Sequence, residues 1–282
     1  MSIDQEGGRV ERTENIHNGK KYLNAKDTAH KGLDFVKEQT ETLCDELLLF
    51  GINMNFAPVL DTNTNPKNPI IGVRAYGDNA DDVIKYAMPV INIHKEKGLV
   101  PVGKHFPGHG DTSSDSHIEM PVVRLSKEEM KQTHLKPFKH AVENGLDAIM
   151  AAHVYYSCYD EEPVQASLSK NVLTNLLREK LGFDGLILSD DMVMGAVLKE
   201  DITEIYAKGL KAGINTFLYR NSDERLIKIL QAIEEKAKND TELLNSIEHS
   251  FKKVIELKQK YNILVNFVQA HFHFHLSQIP NY

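Results

Sequence analysis

The chain has 282 residues, 41% hydrophobic and 26% charged, with a net charge of −7 from 33 Lys+Arg against 40 Asp+Glu. That length can bury a large core, and the composition is ordinary for a globular protein, which excludes fibrous and disordered classes. There is no basic stripe to hold a phosphate backbone and no apolar run of membrane-spanning length, so neither nucleic acid nor a bilayer is an expected partner.

In chain order, Met1-Ser2-Ile3-Asp4-Gln5-Glu6-Gly7-Gly8 reads as half a strand entering a glycine turn, followed closely by Arg9 and Arg12. From there one unit recurs five times: an amphipathic helical stretch ends in Gly, and a short apolar run follows that finishes in polar residues. The runs are 52–61 after Gly51, 99–105 after Gly98, 146–153 after Gly145, 183–191 after Gly182 and 214–221 after Gly213. Glycine just past a helix can take the left-handed conformation that closes it. Near-continuous apolar runs suit strands buried on both faces of a parallel sheet. The glycine spacings of 47, 47, 37 and 31 residues indicate helix–strand alternation rather than a solenoid of fixed period. One helix start is legible in detail. Ser126 precedes Glu129 by three residues, with Leu125 and Met130 flanking as a hydrophobic staple, and the apolar stripe then runs to Gly145. Residues 223–261 read as two Lys/Glu-rich helices, and the last twenty residues lose all pattern.

Alternation of helices and buried strands predicts an α/β fold, and both the closed barrel and the open doubly wound sheet carry their chemistry at the carboxyl ends of the strands. Those ends hold Asp4/Glu6, Asp61, Lys104/His105, His153 and Asp190/Asp191. Polar groups converging from so many strands favour a barrel, since an open sheet spreads its strand ends along a line. The dinucleotide turn and the Walker phosphate loop are both absent, and no cofactor is expected. Cys44 and Cys158 make no disulfide framework and suit a reducing compartment such as the cytoplasm.

The densest constellation is Lys104-His105-Phe106-Pro107-Gly108-His109-Gly110-Asp111-Thr112-Ser113-Ser114-Asp115-Ser116-His117, with three His, two Asp and a Lys in fourteen residues. A metal site is a poor fit, because His105 and His109 share a face only on a helix and Pro107-Gly108 forbids one. Lys104 and His105, at the strand end, are placed to donate hydrogen bonds to ligand hydroxyls. Asp115, two residues before His117, can orient that imidazole and raise its pKa, which makes His117 a candidate proton donor and acceptor. In the second constellation, Ser189-Asp190-Asp191, Asp190 continues the strand into the mouth as a candidate nucleophile, while Asp191 is suited to cap the next helix. The segments 4–12 and 72–78 mix glycine turns with charged side chains able to pair with a polyhydroxylated ligand, although a charged surface loop is the default for either alone.

The segments 4–10, 55–61, 104–117 and 185–195 together resemble glycoside hydrolase family 3, and within it the β-N-acetylhexosaminidases of the NagZ type. The resemblance runs in order from residue 1 to about residue 260. It implies a (β/α)8 TIM-type barrel that removes non-reducing N-acetyl-β-D-glucosamine with retention, typically from peptidoglycan fragments, so the implied partners are N-acetylglucosaminides and muropeptides. The family's nucleophile corresponds to Asp190 and its acid/base pair to His117 with Asp115. Its sugar-binding positions correspond to Asp4, Arg12, Arg74, Lys104 and His105, and no metal is implied. Family members carry a further strand and helix before the Asp4 segment. The expectation is therefore a barrel domain over 1–262 that begins inside a strand and lacks its first βα unit, with six strands visible. Residues 263–282, including His271, His273 and His275, form an atypical tail. The rival readings are an inactive or sugar-binding fragment, a phosphorylase or β-glucosidase of the same family, and a metal-dependent hydrolase built on the His-rich loop. The β-glucosidases place their acid/base on another residue type in another domain, whereas this sequence has Asp115-x-His117.

Overall fold

A computed structural model of the chain describes residues 1–16, 19–113, 120–193, 201–220 and 224–263. The main sheet has six parallel strands: β1 (Ser2–Ile3), β2 (Met54–Asn55), β3 (Val100–Phe106), β5 (Ala148–Ala151), β7 (Leu186–Asp191) and β8 (Thr216–Leu218). They pair in the order β1-β2-β3-β5-β7-β8, which is sequence order once the small parallel pair β4 (Val122–Val123) and β6 (Tyr155–Tyr156) is set aside. Helices Leu33–Leu49, Ala80–Glu96, Leu135–Glu143, Asn171–Lys180 and Ile202–Ala212 lie between successive strands of the sheet. The sheet curls as part of a barrel, the alternative that the convergence of polar strand ends favours.

The five glycines placed at helix ends all have positive φ, from 71° to 123°. Ser126 caps its helix as expected. Its hydroxyl accepts from the Glu129 N–H (3.2 Å), and the Glu129 carboxylate accepts from the Ser126 N–H (2.8 Å). The C-terminal helices are Glu224–Ala237 and Thr241–Lys260, close to the predicted pair. The expected tail, with its His run, lies outside the described residues except for Ile263.

Register explains why the strands read as continuous apolar runs. Successive side chains alternate between faces. Val100, Val102, Ala148, Met150, Leu186 and Leu188 share the concave face with Phe56. Phe106, Ile149, Ala151 and Ile187 face the helices, packing with Ile91, Phe138, Leu173 and Leu177. The concave face is closed at its amino-terminal end by the last helix, which contributes Val254, Leu257 and Tyr261. That helix is tied down at Asp147, whose carboxylate accepts from Lys260 Nζ (2.5 Å) and Tyr261 Oη (2.7 Å) just before β5 begins. The apolar plug at one end leaves the carboxyl ends of the strands as the polar end.

Candidate active site

Alternation along two strands carries the interior face from apolar to charged. Val100 and Val102 lead to Lys104 on β3, and Leu186 and Leu188 lead to Asp190 on β7. On the far side of β2, Asp4 and Glu6 sit two residues apart just beyond β1. Lys104 is 1% exposed, and an ammonium so buried needs paired charge. It pairs with Asp4 Oδ1 at 2.5 Å and with Glu6 Oε1. Arg74, on the turn Gly72–Arg74, completes the group. Its Nε donates to Glu6 Oε2 (2.8 Å) and its Nη2 to Glu6 Oε1 (2.7 Å), a two-pronged clamp. Burial opposes ionisation of Glu6, but Arg74 and Lys104 outweigh it and hold the carboxyl well below the usual range. Burial likewise disfavours the charge on Lys104, and Asp4 and Glu6 more than restore it.

Asp61 ends the first of the five apolar runs, where residues 58–60 extend β2 alongside Lys104. Its carboxylate accepts from the His109 N–H (2.7 Å), from the His105 N–H (3.2 Å) and from His105 Nδ1 (2.7 Å). The other nitrogen of that ring, Nε2, lies 3.3 Å from Arg74 Nη2. A guanidinium has protons and no lone pair to offer, so Nε2 presents a lone pair. The His105 ring thus stands between the Asp61 carboxylate at Nδ1 and the Arg74 guanidinium at Nε2.

Asp190 follows Ser189 at the end of β7, and its Oδ1 accepts from the Asp191 N–H (2.8 Å). Burial would raise its pKa, but that N–H and the nearby Lys104 ammonium help hold it below the ordinary carboxylate value. It is therefore an anion at neutral pH, as a nucleophile must be. His153 is buried beside it with Nδ1 2.7 Å from Ser167 Oγ. Asp191, expected to cap the next helix, stands just before residues 194–200, which lie outside the described residues. It accepts from the Val193 N–H (3.0 Å) and faces Arg220 Nε (3.1 Å), whereas Ile202–Ala212 is capped by Asp201, which accepts from the Thr203 N–H (2.8 Å).

Of the residues singled out from the sequence, Asp4, Arg74, Lys104 and His105 come together with Asp190 within one field of charges. Arg12 does not join the ion-pair group. Its guanidinium is exposed and donates to the Glu11 carbonyl (3.4 Å), while its N–H is held by Gln5 Oε1 (2.7 Å). Asp115 and His117 lie outside the described residues. From the sequence Glu6 and Asp61 are polar groups at strand ends with no assigned role in the site. A usable signal existed for Glu6, since two residues from Asp4 on an extended segment means the same face. Among the described residues no group of three or more His, Cys, Asp or Glu is arranged to hold a metal.

Two buried imidazoles support the site from behind. His94 Nδ1 donates to the Val90 carbonyl (2.8 Å) and Nε2 accepts from Asn55 Nδ2 (3.1 Å). Asn55 in turn brackets the Gln5 backbone, accepting from its N–H (3.1 Å) and donating to its carbonyl (3.0 Å), which fixes the segment carrying Asp4 and Glu6. His109 Nδ1 lies 2.8 Å from Thr112 Oγ1. Burial pushes both rings down to about 4. In the unfolded chain they titrate near 6.5, so the unfolded state binds more protons between those values. Their contribution is whole above about pH 6.5 and is lost as pH falls toward 4, by up to roughly 3 kcal/mol for each ring. The thermal midpoint measured across that range is expected to drop steadily below pH 6.5. A midpoint constant from pH 7 to 5 would show that these rings ionise within the fold.

Comparison with known proteins adds the following. Residues 1–257 match the family described as the glycosyl hydrolase family 3 N terminal domain. A β-hexosaminidase of Photobacterium profundum is 37% identical over 235 residues, covering 83% of this chain and 69% of the relative. Among solved structures, a glycoside hydrolase family 3 β-N-acetylglucosaminidase from Paenibacillus sp. superposes with a TM-score of 0.86 at 35% identity, covering 95% of this chain. This chain spans 52% of that protein's length. A β-N-acetylhexosaminidase from Beutenbergia cavernae superposes with a TM-score of 0.85 at 25% identity, over 92% of this chain and 78% of its own.

Proposed function

The chain belongs to glycosyl hydrolase family 3, and on that premise we propose that it releases non-reducing terminal N-acetyl-β-D-glucosamine with retention of configuration, acting on peptidoglycan fragments. The observation that carries the reading is the placement of Asp190 at the end of β7, one oxygen held by the Asp191 N–H, in the same mouth as Lys104 and His105. Retention needs two successive inversions at the anomeric carbon, the first from the face opposite the leaving group and the second from the face it has left. In the first, the Asp190 carboxylate attacks the anomeric carbon through an oxocarbenium-like state, while His117 gives its proton to the departing glycosidic oxygen. In the second, His117, now neutral, takes a proton from water as that water attacks the anomeric carbon and the bond to Asp190 breaks. Asp115 is assigned the role of orienting His117. Asp4, Arg74, Lys104 and His105 supply a mixed set of donors and acceptors for ring hydroxyls, with Arg12 at the rim.

The direct test is turnover of 4-nitrophenyl N-acetyl-β-D-glucosaminide against the matching glucoside, with the first-formed anomer read by NMR. The reading expects the N-acetylated substrate to be strongly preferred, the β-anomer to form first, and EDTA to leave the rate unchanged. Equal use of the glucoside would favour a β-glucosidase. A sugar 1-phosphate formed when phosphate is added would favour a phosphorylase, and loss of activity to the chelator a metal-dependent hydrolase. Release of N-acetylglucosamine from muropeptides tests the assignment to peptidoglycan fragments.

A general acid matters most where the leaving group needs its proton. His117→Ala is therefore expected to cost about 10²- to 10⁴-fold in kcat on an alkyl glycoside or disaccharide, and far less on a nitrophenyl glycoside. Equal losses on both would argue against the acid role.

A further inference from the structure

We propose that Asp61 is a positioning residue that sets His105 Nε2 as a hydrogen-bond acceptor in the sugar site, so that the site selects a ligand with a free hydroxyl at that point. The proposal rests on the reading of the pocket as a sugar site given above.

Asp61 is fully buried, and its two oxygens accept from three N–H groups of one loop: the His105 backbone, the His109 backbone and the His105 ring. A carboxylate has no proton of its own to give when ionised. Burial works against that ionised form, but the hydrogen bonds from the His105 ring and the His109 N–H favour it. The 2.7 Å contact therefore requires the proton on His105 Nδ1. The second contact reaches the same tautomer from the opposite side of the ring, because Arg74 Nη2 beside Nε2 can only donate. That nitrogen of Arg74 already donates to Glu6 Oε1 at 2.7 Å, so its 3.3 Å approach to Nε2 leaves the lone pair open to a stronger donor.

The donors and acceptors of the site are thereby divided. Lys104 and Arg74 supply protons, while Asp4 and His105 Nε2 take them. A ligand hydroxyl reaching His105 must give its proton, and a fluorine or an ether in that place cannot. Without Asp61 the ring could carry its proton on either nitrogen, and the discrimination would be lost even with His105 in place.

Asp61→Asn keeps the volume and the acceptor for the backbone N–H groups. Its amide nitrogen, turned to the ring, would donate to Nδ1 and move the ring proton to Nε2. The first measurement needs no substrate. Side-chain ¹⁵N shifts of His105 in the labelled wild-type chain, assigned by comparison with His105→Gln, are expected to show a protonated Nδ1 and an unprotonated Nε2. A proton on Nε2 in the wild type overturns the proposal.

The second measurement compares kcat/KM for 4-nitrophenyl N-acetyl-β-D-glucosaminide and its 3-, 4- and 6-deoxyfluoro analogues. One analogue should lose about 10- to 100-fold in the wild type, as expected when a buried acceptor is left unpaired. In Asp61→Asn that one penalty should shrink about tenfold while the others hold. A uniform loss on every substrate with the pattern of penalties unchanged would mean that Asp61 only holds the loop, and would overturn the proposal. If the wild type turns over none of these substrates, the sugar reading fails by itself, and the ¹⁵N result still decides the tautomer.

Discussion

Asp190→Ala is expected to lower kcat on 4-nitrophenyl N-acetyl-β-D-glucosaminide by about 10⁴-fold or more, the scale seen when a covalent nucleophile is removed. The loss follows from placement. Leu186 and Leu188 lock β7 into the apolar interior, so Asp190 two residues on enters the mouth without freedom to swing away. The Asp191 N–H at 2.8 Å fixes one of its oxygens, which leaves the other to attack. No neighbouring group replaces it, since Asp4 and Glu6 are both tied to Lys104 and Glu6 also to Arg74. A second readout separates loss of the nucleophile from a damaged site. Azide fits the space left by the carboxylate and would attack the anomeric carbon from the same side, expelling nitrophenolate and forming the α-glycosyl azide. Restored nitrophenolate release with that product supports the assignment. Retained near-normal turnover in the variant without azide would remove Asp190 from the mechanism.

Glu6→Gln is expected to have the largest effect on stability, about 3–5 kcal/mol, together with a raised KM. Breaking a buried charge pair from one side leaves the remaining charges without compensation. Here the remaining charges are Lys104, 1% exposed, and Arg74, whose side chain is 10% exposed. Lys104 would keep only Asp4, whose side chain is 37% exposed, and the guanidinium of Arg74 would keep the Ile70 carbonyl at 3.2 Å. Since the Glu6 carboxyl is depressed in the fold, its contribution is present above the ordinary carboxylate range near 4.5. It disappears as pH falls through the folded value. Urea unfolding at pH 7 and again at pH 3 checks both statements. The variant should lie well below the wild type at pH 7, and the gap should narrow at pH 3. A difference under about 1 kcal/mol at pH 7 would mean that the network orients side chains without net stabilisation, the outcome known for some buried ion pairs.

Much of the candidate site could be read from the chain because strand ends announce themselves. Each of the five apolar runs begins after a helix-closing glycine and ends in polar residues, and Asp4, Lys104, His105 and Asp190 were picked out at such ends. Arg74 was reached differently, through resemblance, since a charged turn between glycines has no local mark of function. Glu6 and Asp61 also stand at strand ends, but the sequence assigns them no role because their importance lies in what they hold. Nothing in Asp-Gln-Glu says that the Glu will meet an arginine 68 residues away. Nothing in Val-Leu-Asp says that the Asp will accept three N–H groups from a loop more than forty residues further on. Asp191 has a partner that its local sequence does not announce, since Arg220 Nε lies 3.1 Å from its carboxylate.

By itself the sequence determined the alternation of helix and strand, the family and the identity of the charged residues at the strand ends. Those properties are local or nearly so: glycine conformation, capping, period-two burial and motif spelling act within a few residues. The tertiary structure decided which charges neutralise one another, that Asp61 grips His105 and His109, and that the last helix closes the interior at Asp147. Each depends on side chains that only the curled sheet brings within hydrogen-bond reach. Once they are there, burial makes the pairing compulsory, because a lone charge in that interior would cost more than the fold can bear.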